Sequence, residues 1–550
     1  MKKFCAVSGK EFEVSEQEMA LRKKFGFENA PQTSPQIRFQ HLGAFWQHWN
    51  LHKRKCNKTE KNIISVFHEK CPYPVWHREE WLKGANPPMR DYETEKPVFE
   101  QMWALFQTCP IPHRVGTGNQ NAAYADDVWY SKNCYLSHSV FKSENLRYSY
   151  RQIRMRDAQF CVFSFDSELC VDTINCRQCF ELRYALNCRH CQDSSFLYDC
   201  RNCRDCLFCF NLRNKQYCIG NKQLTKEAFE QEKKKWNFSS RKVYDQAKSH
   251  FREMMNTLAW HRAQYIDRCE KCEGNFLEDS KNCENCFFFS DLEDAVNCVR
   301  GGMGVKDALD NVGAGEKSEL LYCSENTMDN SYDVKFCFEV SQSRFMEYCG
   351  HCFQCTHCFG CCGLVGKKYC IFNKEYSPEE YESLRAKIIL QMKEENTWGN
   401  FFPGHFSPHP YEESWASFYF PLTKEKQEQF GFRQREKLER RNEQYLLASE
   451  IPDSSQGEVN AVLGKTFWDQ KWSRPFQITE EDIAFAQKLK IPLSNQYYMA
   501  RIQENFHWMP FDGGLRETVC AKSGKLIQTT WGQEFDGRIL SEEEYLKVVK

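Results

Sequence analysis

The chain has 550 residues, which is more than one hydrophobic core usually holds, so several structural units are expected. Its 74 lysines and arginines balance 75 aspartates and glutamates, and the net charge of −1 excludes a general electrostatic attraction to nucleic acid or to anionic membranes. No stretch approaches the roughly 18 apolar residues of a membrane span, and Met1 to Lys10 contain no apolar run of signal-peptide length. We therefore expect a cytoplasmic protein whose 31 cysteines are reduced and serve packing or metal binding.

Both ends of the chain contain a short motif that begins with a cysteine. The three copies are Cys5-Ala-Val-Ser8-Gly9-Lys10, Cys56-Asn-Lys-Thr59-Glu60-Lys61 and Cys520-Ala-Lys-Ser523-Gly524-Lys525. Each has the outline of a zinc knuckle, Cys-x-x-Cys-Gly-Lys, with Ser or Thr in place of the second cysteine. Because zinc needs four ligands in a closed site, the motifs favour a hydrogen-bonded turn without metal. We predict a ribbon-like module that has lost metal ligands at each end, over residues 1–130 (with a connector) and 461–550.

The region 131–222 has a regular spacing of cysteines. From Cys134 to Cys218 they are separated by multiples of three, and blocks of twelve residues align without gaps from Asn133 to Gln216. Cysteine falls at the second, fifth, eighth or eleventh position of a block, where a narrow interior would take a small apolar side chain. Asn or Asp at the seventh position of the later blocks indicates a turn. This repeat predicts a slim β-solenoid of about twelve residues per coil, with coils about 4.8 Å apart.

The cysteine-rich pattern occurs a second time. The segment from Cys206 to Lys222 matches the segment from Cys358 to Lys374 at a constant offset of 152 residues, which indicates an internal duplication. We predict a second Cys-rich solenoid over residues 269–374. Gly301-Gly302 and the stretch from Gly313 to Gly315 interrupt its regularity.

Helical and irregular segments separate and follow the two solenoids. Residues 223–268 are predicted to form a helical insert, with a helix from Ser240 to Ala263, and residues 375–395 a further helix. Residues 396–460 are rich first in Pro, Phe, Tyr and His and then in charged residues, which predicts a packed strap followed by a charged helix or linker. The expected fold is mainly β with helical inserts: a duplicated β-solenoid flanked by degenerate zinc-ribbon-like α+β modules.

Several motifs together resemble a known group of proteins. They are Lys53-Arg54-Lys55-Cys56, Ile63-Ile64-Ser65, Lys132-Asn133-Cys134-Tyr135-Leu136, Ser280-Lys281-Asn282-Cys283, Tyr369-Cys370-Ile371-Phe372-Asn373-Lys374 and Trp398-Gly399-Asn400-Phe401-Phe402-Pro403. The chain resembles, over most of its length, an uncharacterised family of large Cys-rich repeat proteins with zinc-ribbon-like ends from ultra-small bacteria of candidate phyla. The resemblance implies this architecture and no activity. Family members carry full Cys-x-x-Cys knuckles, whereas this chain has Ser8, Thr59 and Ser523.

Two pairs of cysteines form the best candidate metal site. Cys269 and Cys272 are separated by ten residues from Cys283 and Cys286, and four thiolates at this spacing suit tetrahedral Zn²⁺. The alternative is that Cys283 and Cys286 simply begin the second solenoid. Cys269 and Cys272 fall outside its multiple-of-three frame, which favours a separate role.

Two longer runs of cysteines, three residues apart, are candidates for zinc or an iron–sulfur cluster. They are Cys200, Cys203, Cys206 and Cys209, and Cys349, Cys352, Cys355, Cys358 and Cys361. Stacked coils place equivalent residues in columns, and free cysteine is among the most buried residue types. A ladder of packed thiols is therefore favoured, and disulfides between coils are the third alternative.

A column of arginines is predicted on the first solenoid. Its members, twelve residues apart, are Arg177, Arg189, Arg201 and Arg213. Stacked guanidinium groups about 5 Å apart repel one another unless they are neutralised. The phosphates of a nucleic-acid strand would neutralise them. An acidic column of Glu181, Asp193 and Asp205 has the same spacing, so ion pairs between the two columns are favoured.

No motif of a known catalytic centre is present in the sequence, which lacks a phosphate-binding loop, a Gly-x-Ser-x-Gly and a His-Glu-x-x-His. We expect a non-enzymatic scaffold or binding protein that presents a solenoid surface to a protein partner or to another copy of itself. The alternatives are a metal-binding (zinc or iron–sulfur) or redox protein that uses the Cys-x-x-Cys runs, and a nucleic-acid-binding protein that uses the arginine column.

Overall fold

The structure is a computed structural model and describes residues 1–47, 50–435, 442–506, 508–509, 511 and 513–549. The first 115 residues contain two antiparallel hairpins and four short helices. Their elements are β1 (Lys2–Phe4), β2 (Glu11–Glu13), α1 (Glu16–Lys24), α2 (Pro35–Gly43), β3 (His52–Lys55), β4 (Asn62–Ser65), β5 (Val75–Trp76), α3 (Arg78–Leu82), α4 (Val98–Phe106) and β6 (Ile111–Pro112). β1 pairs with β2, β3 pairs with β4, and β5 pairs in parallel with β6.

The first solenoid is built from short parallel strands. They are β7 (Gly116–Thr117), β8 (Asp126–Trp129), β9 (Lys132–Tyr135), β10 (His138–Phe141), β11 (Glu144–Arg147), β12 (Tyr150–Ile153), β13 (Arg156–Gln159), β14 (Val162–Phe165), β15 (Glu168–Val171), β16 (Phe180–Leu186), β17 (Gln192–Tyr198), β18 (Arg204–Phe210) and β19 (Gln216–Ile219). From β8 onward, the paired residues of neighbouring strands are twelve positions apart in the sequence, as His138 and Tyr150 are. The predicted solenoid of twelve-residue coils is confirmed. It begins before residue 131, since β8 pairs in parallel with β10 at the same offset of twelve residues. The first coils bury Ala125 and Val128 instead of cysteine.

The solenoid turns a corner at nearly every third residue. At these positions φ is positive, for example 53° at Asn133, 53° at Tyr148 and 55° at Phe160, so a twelve-residue coil has four corners. Asn tolerates this conformation, and Asn133 Nδ2 also donates to Asn145 Oδ1 on the next coil at 2.8 Å. For a bulky residue the conformation costs about 1–2 kcal/mol, which the ladder between coils must offset. The sequence therefore indicated the Asn corners and not the aromatic ones.

A helical insert joins the two solenoids. Its elements are β20 (Lys222–Gln223), α5 (Lys226–Lys233), α6 (Arg241–Thr257) and β21 (His261–Arg262). The predicted helix after Ser240 is confirmed, and it ends at Thr257. The Ser240 hydroxyl accepts a hydrogen bond from Val243 N–H, which caps the helix. α6 buries Tyr244 and Phe251 in the core that it shares with the first solenoid.

The second solenoid has coils of unequal length. Its strands are β22 (Ile266–Asp267), β23 (Glu270–Glu278), β24 (Lys281–Val299), β25 (Met303–Ala314), β26 (Glu319–Thr327), β27 (Tyr332–Lys335), β28 (Phe338–Ser341), β29 (Arg344–Glu347), β30 (Gly350–Phe353), β31 (Thr356–Phe359), β32 (Lys368–Ile371) and β33 (Lys374–Glu375). The first coil is one residue short of twelve. Three coils between residues 290 and 341 have thirteen residues. The later coils return to twelve.

The C-terminal part repeats the hairpin-and-helix organisation of the N-terminal part. Its elements are α7 (Pro378–Glu394), α8 (Ala416–Tyr419), α9 (Lys424–Gln429), β34 (Leu446–Leu447), β35 (Thr466–Asp469), β36 (Arg474–Gln477), α10 (Glu480–Leu489), α11 (Tyr498–Phe506), β37 (Arg516–Val519), β38 (Leu526–Thr529), β39 (Ile539–Leu540) and α12 (Glu542–Val548). Residues 436–441 of the predicted charged segment lie outside the described residues. Within the described ranges, no helix combines the length and the apolar character needed to span a membrane.

Each end of the chain packs on the solenoid that is farther away in sequence. α2 contacts β25 of the second solenoid, and α11 contacts β14 of the first. Arg38 of α2 pairs with Glu18 at 2.7 Å and with the corner residue Asp310 at 2.6 Å. Arg501 of α11 pairs with another corner residue, Asp172, at 3.1 Å. The two ends are therefore anchored by the same kind of ion pair, between an arginine that is largely shielded from solvent and a buried corner aspartate.

Four hairpin turns in the end modules share one geometry. In each, a thiol or carboxylate side chain before the turn accepts a hydrogen bond from the backbone N–H of the residue that precedes a helix. The pairs are Cys5 with Ser34 before α2 (3.4 Å), Cys56 with His77 before α3 (3.3 Å), Asp469 with Tyr497 before α11 (2.8 Å) and Cys520 with Ser541 before α12 (3.3 Å). Asp469 was not recognised in the sequence because it is not a cysteine. Its carboxylate occupies the position that a thiol occupies in the other three turns.

The two solenoids lie side by side and share a core. Arg151 Nη2 donates to the Phe288 carbonyl oxygen at 2.7 Å. The rings of Phe163 and Phe288 are edge to face at 5.4 Å, and the hydroxyls of Tyr198 and Tyr265 are hydrogen-bonded at 2.8 Å. The cysteine-lined interiors form two further, separate cores.

Candidate functional site

The four cysteines of the predicted zinc site lie in the first two coils of the second solenoid. Cys272 faces Cys283 on the neighbouring strand, and the Ser280 N–H donates to Cys269 Sγ at 3.3 Å. The short first coil, with an irregularity just after Cys272, shifts Cys269 and Cys272 out of the multiple-of-three frame. The shift therefore follows from the short coil, and both residues belong to the solenoid predicted for residues 269–374.

The structure does not arrange these thiols as a metal centre. Cys283 and Cys286 are buried, whereas Cys269 and Cys272 are half-buried. Among the described residues, no group of three or more His, Cys, Asp or Glu side chains is placed to hold a metal ion. The zinc site therefore stays a prediction.

Most of the other cysteines of the solenoids line their interiors, as predicted, whereas Cys323 and Cys362 pack in an outer core. Cys161 Sγ donates to the carbonyl oxygens of Gln159 at 3.3 Å and of Cys170 at 3.4 Å, one in its own coil and one in the next. The hydroxyl of Ser164 makes the equivalent pair of contacts at 3.3 Å. A short side chain with one donor thus satisfies the carbonyl groups that face the narrow interior. Burial raises the pKa of Cys161 to about 12, so this thiol stays protonated at neutral pH.

The predicted arginine column is present, but its acidic partners are different from those expected. Each arginine is in register with the next, twelve residues away. Their ion pairs are Arg177 with Glu278, Arg189 with Asp267 at 2.7 Å, Arg201 with Asp199 at 3.0 Å and Arg213 with Asp199 at 3.3 Å. Two of these acids, Glu278 and Asp267, belong to the second solenoid. The column therefore faces the other solenoid, and a nucleic acid would have to displace these carboxylates.

The expected pairing with Glu181, Asp193 and Asp205 is wrong for a geometric reason. The chain turns a corner every three residues, so a residue four positions after an arginine lies on another face of the coil. Glu181 pairs instead with Arg183 at 3.0 Å, and both Asp193 and Asp205 lie within ion-pairing distance of Arg204.

A cleft of about 490 Å³ separates the two solenoids at the thirteen-residue coils. One wall is formed by β8, β10 and β12, and the other by residues 300–302, 313–316 and 326–329. The extra residue of each long coil falls in this second wall, at the same corner. An added residue in a strand bends it locally and is frequent next to binding sites.

Two arginines line the cleft, Arg300, which is buried, and Arg151, which is half-buried. The guanidinium of Arg300 lies over the rings of Trp46, at 3.8 Å, and Tyr150, at 4.2 Å. The guanidinium of Arg151 lies over Phe163 at 4.2 Å. Burial lowers the pKa of both arginines to about 9, so both are cations at neutral pH. Gly313 makes room for Trp46, since a Cβ there would lie 2.9 Å from its ring.

Arg300 is incompletely hydrogen-bonded. It is 5% exposed, its Nη2 donates to Ser139 Oγ at 3.4 Å, and its Nε and Nη1 have no partner in the described part of the chain. The buried arginines Arg501 and Arg262, by contrast, bond Asp172 and Asp267. A buried donor without an acceptor destabilises a fold and calls for a functional explanation.

The sequence signal for this cleft was the interruption of the repeat at Gly301-Gly302 and at Gly313 to Gly315. It was interpreted only as irregularity, because the other wall comes from residues more than 150 positions earlier. The cleft offers cationic donors and aromatic rings, which are groups suited to recognition. Neither protein-family models nor curated proteins match the chain.

Proposed function

We propose that the protein is a non-enzymatic binding protein whose ligand site is the cleft between the two solenoids. The supporting observation is the guanidinium of Arg300, which is buried in the wall of the cleft with two of its three nitrogen atoms unpaired. Natural folds depart from complete hydrogen bonding chiefly where function requires it. A cleft of this volume falls in the range of small-molecule sites, roughly 300–1,000 Å³. The paired solenoids then act as the rigid scaffold that holds the two walls.

A variant that fills the cleft tests this function. Met328 lies in the wall of the cleft, and Met328→Trp adds bulk there without removing a hydrogen-bonding group. We expect equilibrium dialysis against a metabolite extract, followed by mass spectrometry of the bound fraction, to retain a ligand on the natural protein and not on Met328→Trp. Met303→Trp is the matched control, because Met303 lies on the same solenoid and is 37% exposed. Equal retention by all three proteins would refute the cleft as the binding site.

We further propose that the end modules are degenerate zinc-binding modules, as the resemblance to the Cys-rich bacterial family suggests. Two observations support the proposal. The turn at each of Cys5, Cys56 and Cys520 has the form of a knuckle hairpin, and a helix start faces each thiol, where further ligands would lie in an intact site. The chain now places backbone N–H groups at these positions.

A second candidate function is metal or redox chemistry at Cys269, Cys272, Cys283 and Cys286. It is favoured by the contact between Cys272 and Cys283 and by the partial exposure of the first two thiols. If zinc binds here, protein purified without chelators should contain about one zinc per chain. The Cys269→Ser/Cys272→Ser double variant should lose that zinc, whereas Cys5→Ser should keep it. Zinc-free protein whose thiols all react after unfolding would refute this candidate.

A further inference from the structure

The lining of the cleft carries as many carboxylates as cations: Asp127, Glu316 and Asp329 against Arg151, Arg300 and Lys142. The unpaired positive charge is local to the two arginines. In the described structure, neither arginine has a carboxylate oxygen within ion-pairing distance. Asp127 is already bonded by Trp129 Nε1 at 2.7 Å and by Ser139 Oγ at 2.6 Å. An anion would supply the missing partner.

The orientation of Arg300 restricts where that anion sits. The rings of Trp46 and Tyr150 lie against the guanidinium, whose N–H groups donate at its edge. Two parallel N–H groups at a guanidinium edge match two oxygens of a carboxylate or a phosphate. Each fork of the guanidinium includes Nη2, so the pair would combine one of the unpaired atoms, Nε or Nη1, with the N–H of Nη2 that does not donate to Ser139.

The rest of the cleft is shaped for a flat apolar group. Trp129, Tyr130 and Phe141 line it, and Tyr130 is 52% exposed. Aromatic walls favour stacking with a planar ring. Asn326 Oδ1, also in the wall, is buried without a donor and would accept an N–H or O–H of the ligand. The volume is larger than a free phosphate or acetate ion would fill.

We infer that the cleft binds a small aromatic molecule that carries a carboxylate or phosphate group, with the anionic oxygens on the Arg300 edge and the ring against Trp129 and Tyr130. This inference rests on the proposed function and adds the chemical class of the ligand. Carboxylate and phosphate present the same paired oxygens, so the experiment separates these two sources.

The test is calorimetric titration of the full chain with indole-3-acetate and phenyl phosphate. Their uncharged matches are indole-3-acetamide and phenol, and acetate and inorganic phosphate are the anions without a ring. We expect at least one aromatic anion to bind about tenfold or more tightly than its uncharged match and its ring-free match. Which of the two binds identifies the anionic group.

The variant Arg300→Met supplies the second readout. We expect it to lower the affinity for the aromatic anion by about 10- to 100-fold, the loss of a pair of charge-assisted hydrogen bonds. Its unliganded melting temperature should be unchanged or higher, because the substitution removes a buried unpaired charge. Arg344→Met, which changes an exposed arginine on β29, is the control and should bind normally. If Arg300→Met does not fold, Arg300→Lys is titrated instead and should bind several-fold more weakly.

The outcomes separate the two proposals. If the uncharged probes bind as tightly as the anions, or Arg300→Met binds normally, the ligand class is wrong, while a Met328→Trp effect leaves the cleft as the binding site. If no probe binds at millimolar concentration, the inferred class is also wrong. If Met328→Trp binds all ligands as the natural protein does, the proposed function itself fails.

Discussion

Replacing Asp172 with alanine is expected to reduce the free energy of unfolding of the unit that contains the first solenoid by about 3–5 kcal/mol. Asp172 is 1% exposed and is the carboxylate partner of Arg501 at 3.1 Å and of Lys248 at 3.8 Å. Although burial raises the pKa of Asp172, the positive charges of Arg501 and Lys248 lower it below its ordinary value. The alanine variant would leave Arg501 buried, over the ring of Phe160, without its counter-charge. Urea unfolding followed by tryptophan fluorescence measures the change.

Two further variants identify the cause of that loss. Asp166→Ala removes the partner of Arg154, whose side chain is 48% exposed, and should cost at most about 1 kcal/mol. The double variant Asp172→Ala/Arg501→Met removes both charges and should recover much of the lost stability. If Asp172→Ala is no more harmful than Asp166→Ala, the C-terminal module is not anchored through this ion pair.

Replacing Cys520 with alanine is expected to lower the stability of the C-terminal module by about 1–3 kcal/mol at pH 9, the range for hydrogen bonds to a charged group. Although burial by itself raises it, hydrogen bonds from the Ser523 hydroxyl and from backbone N–H groups lower the pKa of Cys520 to about 6. The same causes, with Ser8 in place of Ser523, lower the pKa of Cys5 to about 7. Both thiols are therefore largely or partly ionised at neutral pH.

The effect of Cys520→Ala should depend on pH with a defined sign. An unfolded thiol has a pKa of about 8.5, above the folded value. The thiolate therefore adds stability that is fully present above about pH 8.5 and is lost as the pH falls through about 6. The difference in melting temperature between the natural protein and Cys520→Ala should shrink between pH 9 and pH 5.5.

Cys520→Asp is the matched variant, because Asp469 already fills the equivalent turn, where it accepts N–H groups from Trp472 at 3.1 Å and Tyr497 at 2.8 Å. A carboxylate stays ionised from pH 5.5 to 9. We expect Cys520→Asp to keep most of the stability at both pH values. A pH-independent loss in Cys520→Ala, or an equal loss in Cys520→Asp, would show that the side chain acts by packing and not by its charge.

The sequence predicted the repeats well and their contacts poorly. Cysteine at every third position places Cys161 and its equivalents in the interior, because a coil with four corners points one side chain inward per side. The same spacing could not show that the first coil of the second solenoid lacks one residue, so the frame shift of Cys269 and Cys272 favoured a separate role for them. A shift of one residue is visible only when the neighbouring strand is known.

The arginine column shows how far sequence spacing can predict the partners of charged side chains. Spacing alone correctly stacked Arg189 above Arg177, since equivalent residues of successive coils are neighbours. Their carboxylate partners, Asp267 and Glu278, lie on the other solenoid. The sequence favoured as partners the acidic residues four positions after each arginine. These residues face other directions, because the backbone turns a corner between them and the arginines.

The sequence by itself determined the twelve-residue solenoid, its duplication and the inward position of the cysteines, because a coil pairs with the next through a constant, short sequence separation. Only the tertiary structure decided which charges meet, that Asp469 replaces a thiol, and that Arg300 ends in a cleft with two of its guanidinium nitrogen atoms unpaired. These features join residues that are tens to hundreds of positions apart, such as Arg300 and Ser139. Their approach depends on how the two solenoids pack, which no local period encodes.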